Sequence, residues 1–197
     1  MTSEIHITHH VATIAADEYV ARYRDAERFL ALCAQCPKYG KVWGCPPHDF
    51  NVDEYLSGYV QATIYGTKIT FSNAMREQCA TPETTEVAMR EALDEAWNEL
   101  LPFLYEQEAR HAGSVIFTGR CRLCGSCACA RAQELPCRHP DRLRYSLEAV
   151  GFDVARTAAE LLEIELQWGK DGALPPYLTL VTALFTREPI TPAMPND

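Results

Sequence analysis

Eight of the nine cysteines of this chain fall in two loops, and their spacing is that of metal chemistry. In Cys121-Arg-Leu-Cys124-Gly-Ser-Cys127 the three thiols are two residues apart, and Cys137 follows beside Pro136. Such short links let one turn of backbone aim three thiolates at three corners of an iron–sulfur cubane, with the fourth ligand arriving from farther along. Cys121, Cys124, Cys127 and Cys137 are therefore expected to hold a [4Fe-4S] cluster whose sulfurs accept from neighbouring amide N–H groups. Zinc is the alternative, although structural zinc usually takes two Cys-x-x-Cys knuckles from separate turns. Cys129, just past the triple, reads as a spare ligand, a ligand to a second site or a small buried hydrophobe.

The other loop, Cys33-Ala-Gln-Cys36-Pro-Lys-Tyr-Gly-Lys-Val-Trp-Gly-Cys45-Pro-Pro, offers three more thiols. Pro46 and Pro47 stiffen its exit, Gly40 and Gly44 permit left-handed backbone near a ligand, and Trp43 is placed to shield a cluster from water. The bland reading is a proline-rich turn whose cysteines merely pack. If Cys33, Cys36 and Cys45 bind a second cluster, the fourth position falls to Cys129, Cys79 or His48, or stays open. An open iron is a Lewis acid able to hold substrate; this separates an electron carrier from an enzyme.

A basic group, Arg131, Arg138, His139, Arg142 and Arg144, flanks Cys137. Arg138 and Arg144 are candidates for binding an anionic substrate or balancing cluster charge; the competing reading is a solvated helix start paired with Asp141 and Glu148. His6, His9 and His10 read as a polar strand face rather than a metal patch, and Cys79 as a buried thiol. No Gly-rich phosphate loop, nucleophile elbow or HExxH element is present.

The whole chain fits these readings. It has 197 residues and a formal charge of −9, without a basic face dense enough for nucleic acid. The first residues carry neither a basic n-region nor an apolar h-region, and no apolar run is long enough to span a bilayer. A cytoplasmic protein is expected, and in a reducing compartment the cysteines favour metal or redox chemistry over disulfides.

Elements must carry these loops. Alternation over Glu4 to Ile14 predicts an edge strand, and Asp17 a helix cap for a run to about Leu32. A short helix is predicted over Val52 to Tyr59 and strands over Gln61 to Phe71, Ser114 to Thr118 and Tyr177 to Thr186. A long helix over Thr81 to His111 carries the stripe Met89, Leu93, Trp97, Leu100 and Leu104, with a kink or break at Pro102. Further helices are predicted over Leu143 to Val150 and, capped by Asp153, over Val154 to about Trp168. The unit from Ala62 to Thr118 is long enough for a parallel crossover. The fold class is α/β or α+β, a small mixed sheet with helices packed on it and cysteine-rich loops holding metal. Residues 1–188 read as one metal-binding domain and residues 189–197 as a Pro-rich tail.

At the two loops the chain resembles the uncharacterised "predicted metal-binding protein" family, domain of unknown function 2284, widespread in anaerobic bacteria and archaea. The matching stretches are Cys36-Pro-Lys-Tyr-Gly-Lys-Val-Trp-Gly-Cys45-Pro-Pro, Cys121-Arg-Leu-Cys124-Gly-Ser-Cys127, Pro136-Cys137-Arg-His-Pro140 and Arg144-Tyr-Ser-Leu-Glu-Ala-Val-Gly-Phe-Asp-Val154. Tyr145 and Leu147 depart from the family's proline and methionine. Cys33 varies in spacing there, and Cys129 is not a dependable family position. The resemblance implies a metal or iron–sulfur site and no particular reaction. The leading expectation is a redox protein with one or two [4Fe-4S] clusters that passes electrons to a partner protein or small molecule. The alternatives are a cluster enzyme acting on a small anionic or sulfur-bearing substrate, and a structural zinc module.

Overall fold

The computed structural model describes residues 5–79, 81–169 and 172–195. A four-stranded sheet forms the middle layer, built from β1 (Ile5–Ala15), β2 (Gln61–Phe71), β3 (Val115–Phe117) and β4 (Tyr177–Thr186) in the spatial order β1-β2-β4-β3. All three pairings are antiparallel. Since β2 and β3 each run against β4, they are parallel to one another across it, and the helix between them is the crossover expected from the Ala62–Thr118 unit. The long β1–β2 register, from Ile5 opposite Phe71 to Ala15 opposite Gln61, leaves β1 on the edge.

Alternation along the inner strands sends apolar side chains to both faces, so helices must cover both. On one face Ile64, Phe117 and Phe185 pack with Tyr19 and Tyr23 of α1 (Ala16–Tyr23) and with Ala158 and Leu162 of α6 (Val154–Leu162). The Tyr19 ring stacks on Phe152 at 4.5 Å, and its hydroxyl shares a buried hydrogen bond with Thr157. On the other face lies α5 (Pro82–Arg110), which sets Trp97, Leu100 and Leu104 against Tyr65, Ile116 and Leu184. The α+β layer read from the sequence is therefore what folds. Two shorter helices, α3 (Val52–Leu56) and α4 (Asn73–Gln78), flank β2 and are capped by Asn51 and Ser72. No helix of the described residues is long and apolar enough to cross a membrane.

Three expected helices differ. The run from Asp17 is broken into α1 and α2 (Ala26–Ala34), with Asp25 rather than Asp17 as a cap, accepting from the Arg28 amide. The break is imposed from outside: the Arg24 and Asp25 backbone is drawn against Phe152 and Gly151, with Asp25 N donating to Gly151 O at 2.8 Å. Residues 143–147 are not helical, because Tyr145 O accepts from Thr118 N and continues the hydrogen bonding at β3; only Glu148–Val150 makes a 3₁₀ turn before Gly151. The helix capped by Asp153 stops at Leu162, where Glu163 turns left-handed. Conversely, α5 runs as one element through Pro102. Full burial of Leu100 and Leu104 on either side outweighs the roughly 3 kcal/mol that an interior proline costs. Of the expected tail, Ile190 is tied to Gln61 through both its amide and its carbonyl.

Candidate metal centre

The first cysteine loop is launched by α2. Cys33 sits in its last turn, and tight turns follow: Cys36 N donates to Cys33 O, Tyr39 N to Cys36 O, and Cys45 N to Val42 O. The second loop is launched by β3, which delivers the chain four residues later to Cys121. There the Cys127 amide donates to Cys124 O, and Gly125 takes the left-handed conformation the turn needs. Each loop is thus a set of hydrogen-bonded turns on a rigid element, which fixes the direction of short thiol side chains.

The thiols fall into two groups. Cys121, Cys124, Cys127 and Cys129 line one cavity of about 350 Å³, whose wall also includes Lys38 and Val42 of the first loop. Burial raises the pKa of the Cys121 thiol and Cys137 lies close enough to add to it, while Cys137 Sγ accepts from the His139 amide at 3.4 Å. Cys33, Cys36 and Cys45 form the other group, close enough for Cys36 to push up both of its partners. Among the described residues no three Cys, His, Asp or Glu side chains already converge as ligands of a single ion.

The two groups belong to one assembly. A Cβ built on Gly44 would stand 3.2 Å from Cys121 Cβ and 3.6 Å from Arg144 O, so a glycine here lets one loop lie on the other. Its service is close approach; of the two glycines expected to turn left-handed, Gly40 does so, at φ +67°. Arg131, just past Cys129, fastens the contact. Its guanidinium donates to the carbonyls of Val42, Cys45 and Pro47 at 3.1, 2.6 and 2.5 Å and lies over the Trp43 ring, while Trp43 Nε1 donates to Leu135 O. Replacing Arg131 with methionine keeps the packing stem and removes all of these donors. Because the site is only half-buried, we expect a loss of about 1–3 kcal/mol, read by urea denaturation, with metal loss first from Cys33, Cys36 and Cys45.

The basic group divides by role. Arg144 is committed to structure: Nε and Nη2 donate to Glu108 at 2.7 and 2.6 Å, and Nη1 to the carbonyls of Asp141 and Leu143. Its carboxylate partner is thus Glu108, not the Asp141 or Glu148 expected of a solvated helix start. Arg138 donates to Ala128 O and lies 3.8 Å from Cys124 Sγ, which places a positive charge at the edge of the cavity. The three suggested fourth ligands of the first loop have these surroundings. Cys79 is buried among Ile69, Phe71 and Ala88, Cys129 is on the other cavity, and His48 Nε2 is bonded to Ala149 O. His9 shares a hydrogen bond with Thr67 on the sheet, as expected of a strand face.

Electrostatics sets how metal enters. Burial pushes the thiols of Cys33, Cys45 and Cys121 up, with neighbouring thiols adding to it; at Cys33 the Glu148 carboxyl adds more than Cys36 does. A raised thiol holds its proton more tightly, so metal must displace protons, and loading weakens as pH falls.

Of the residues at this contact, Cys129 and Arg131 stand out in the sequence as a possible ligand and as a member of the basic group, but the reach of Arg131 to the first loop does not; Lys38, a wall of the cavity from that loop, has no signal in the sequence. No curated protein and no solved structure matches the chain significantly. A thiol-lined cavity with cations at its edge and amide donors at its sulfurs suits a metal centre, and the family model described as "Predicted metal-binding protein (DUF2284)" matches residues 19–185, so the chain belongs to that family of predicted metal-binding proteins.

Proposed function

We propose that the chain is an iron–sulfur protein that passes electrons to a redox partner. One [4Fe-4S] cluster is held by the loop from Cys121 to Cys137, and a second by Cys33, Cys36 and Cys45. The observation carrying this reading is the cavity ringed by Cys121, Cys124, Cys127 and Cys129, with Cys137 beside it. A tetrahedral zinc site draws its sulfurs to within about 3.8 Å of one another around one point. Four cysteines on one cavity, three of them at successive two-residue spacing, suit the several corners of a cluster better than a single ion. Such a group supplies reversible one-electron transfer when bound. The protein's own part is to hold the sulfurs, to donate from Arg138 and the His139 amide toward them, and to keep the two thiol groups in contact through Gly44 and Arg131. Protein purified without oxygen is expected to contain iron and acid-labile sulfide and to show an EPR signal on reduction. Stoichiometric zinc with no visible chromophore overturns the proposal in favour of a structural zinc module.

A second reading is an enzyme whose first-loop metal keeps one open position. It is favoured by the burial of Cys79 among core residues, by the engagement of His48 Nε2 with Ala149 O, and by the place of Cys129 on the cavity that Cys121, Cys124 and Cys127 line. An exogenous ligand such as cyanide that shifts the spectrum of one cluster only supports this reading, whereas two clusters inert to it support the electron carrier.

A further inference from the structure

A second cavity, of about 290 Å³, shares Arg120, Cys121 and Arg122 with the first. We propose that it binds the carboxylate or phosphate end of a small ligand with an apolar body. The charge balance around it points that way. Four arginines line it. Two are neutralised: Arg122 pairs with Asp94, and Arg144 with Glu108. The other two are not. Arg120 makes no hydrogen bond or ion pair among the described residues, and the Arg142 guanidinium meets only the Tyr105 ring, 5.8 Å from its centroid.

Two uncompensated guanidinium groups at one small cavity, in a chain of net charge −9, mark a local site for an anion. The planar fork of arginine fits carboxylate and phosphate alike.

The rest of the wall selects what carries the anion. Trp97, Leu101 and Leu123 supply apolar surface, and Asn98 supplies an amide. The cavity is held in shape independently of any ligand. Trp97 is buried against Gly119, and Tyr105 donates its hydroxyl to Arg142 O at 2.7 Å, which fixes the segment that carries Arg142. Its volume lies at the small end of ligand pockets, the size of a single ring with one acidic substituent. Because Cys121 lines both cavities, a ligand bound here lies directly beside the metal centre. That is where a substrate of the proposed centre would sit, although the anion site itself rests on the arginines and not on what the thiols hold.

The test is calorimetric titration of the full chain, purified without oxygen, with benzoate, phenyl phosphate, acetate, inorganic phosphate and the neutral benzamide. Iron content is determined separately, so failure of the cluster reading leaves this result interpretable. Benzoate or phenyl phosphate is expected to bind, at least tenfold more tightly than acetate or inorganic phosphate respectively. Their ratio tells carboxylate from phosphate. Arg120→Gln and Arg142→Gln are each expected to weaken binding at least tenfold, and Arg110→Gln, at the far end of α5, to leave it unchanged. Arg120 and Arg142 are exposed, and far-ultraviolet circular dichroism checks that their variants fold. No heat from either aromatic anion, benzamide or acetate binding as tightly as benzoate, or affinity unaffected by both arginine changes would each overturn the proposal.

Discussion

Cys121→Ala is expected to empty the second loop while leaving the first loaded, so that iron falls from roughly eight to roughly four atoms per chain if both loops hold cubanes. Cys121 is where the assembly converges. It lines both cavities, stands against Gly44 of the first loop, and is the thiol whose pKa is raised first by burial and then by Cys137, Cys124 and Cys129. Cys45→Ala should do the reverse, clearing Cys33 and Cys36 of metal and sparing the other site. Iron and sulfide analysis after anaerobic reconstitution measures both. An unchanged iron content in Cys121→Ala sinks the ligand assignment, and loss of all iron from either variant alone would mean one shared centre in place of two. The same assay settles the fourth ligand. The spacing of the motif names Cys137, while the cavity wall contains Cys129. Whichever of Cys129→Ala and Cys137→Ala abolishes second-loop metal identifies it.

The second large effect is on folding and reaches the metal through the backbone. Gly151→Ala is expected to cost about 2–4 kcal/mol and to release metal from the first loop before the second. At φ +97° a side chain is strained in any surroundings, and here the added Cβ would stand 2.9 Å from Ala26 Cα in the backbone of α2. That helix cannot yield without moving Cys33 in its last turn. Gly40→Ala is the control: its φ is also positive, at +67°, but nothing lies within 4 Å, so only the backbone term of about 1 kcal/mol applies. Chemical denaturation of the two variants, with iron content measured at each loop, checks the ranking. Equal losses at both positions would show that the contact with α2 contributes nothing.

These two positions show where sequence reading works. The spacing of Cys121, Cys124 and Cys127 is itself a geometric instruction, since two intervening residues leave the chain little choice but a turn that brings thiols to one side. The alternation of β2 and β4, the Asp153 cap and the apolar stripe of α5 are local in the same sense, and those elements form where their residues place them. Reading failed where a distant partner outvoted local preference. The run from Asp17 has the pattern of one helix, but residues over a hundred positions away bridge it at Arg24: Asp25 N donates to Gly151 O, and Tyr23 O accepts from Asp153 N. Residues 143–147 carry apolar side chains at helical spacing, yet Thr118 claims Tyr145 O.

The sequence by itself determined the two cysteine loops and the strand that launches the second of them, because both follow from spacing of a few residues. Only the tertiary structure decided that the two loops meet, through the missing side chain of Gly44 and the reach of Arg131. It also decided that Arg144 is spent on Glu108 while Arg120 and Arg142 are left to face a cavity. A charge has no fixed role until its partners are placed. Since electrostatic and packing partners here are separated by tens of residues, only the folded arrangement of all the elements could place them.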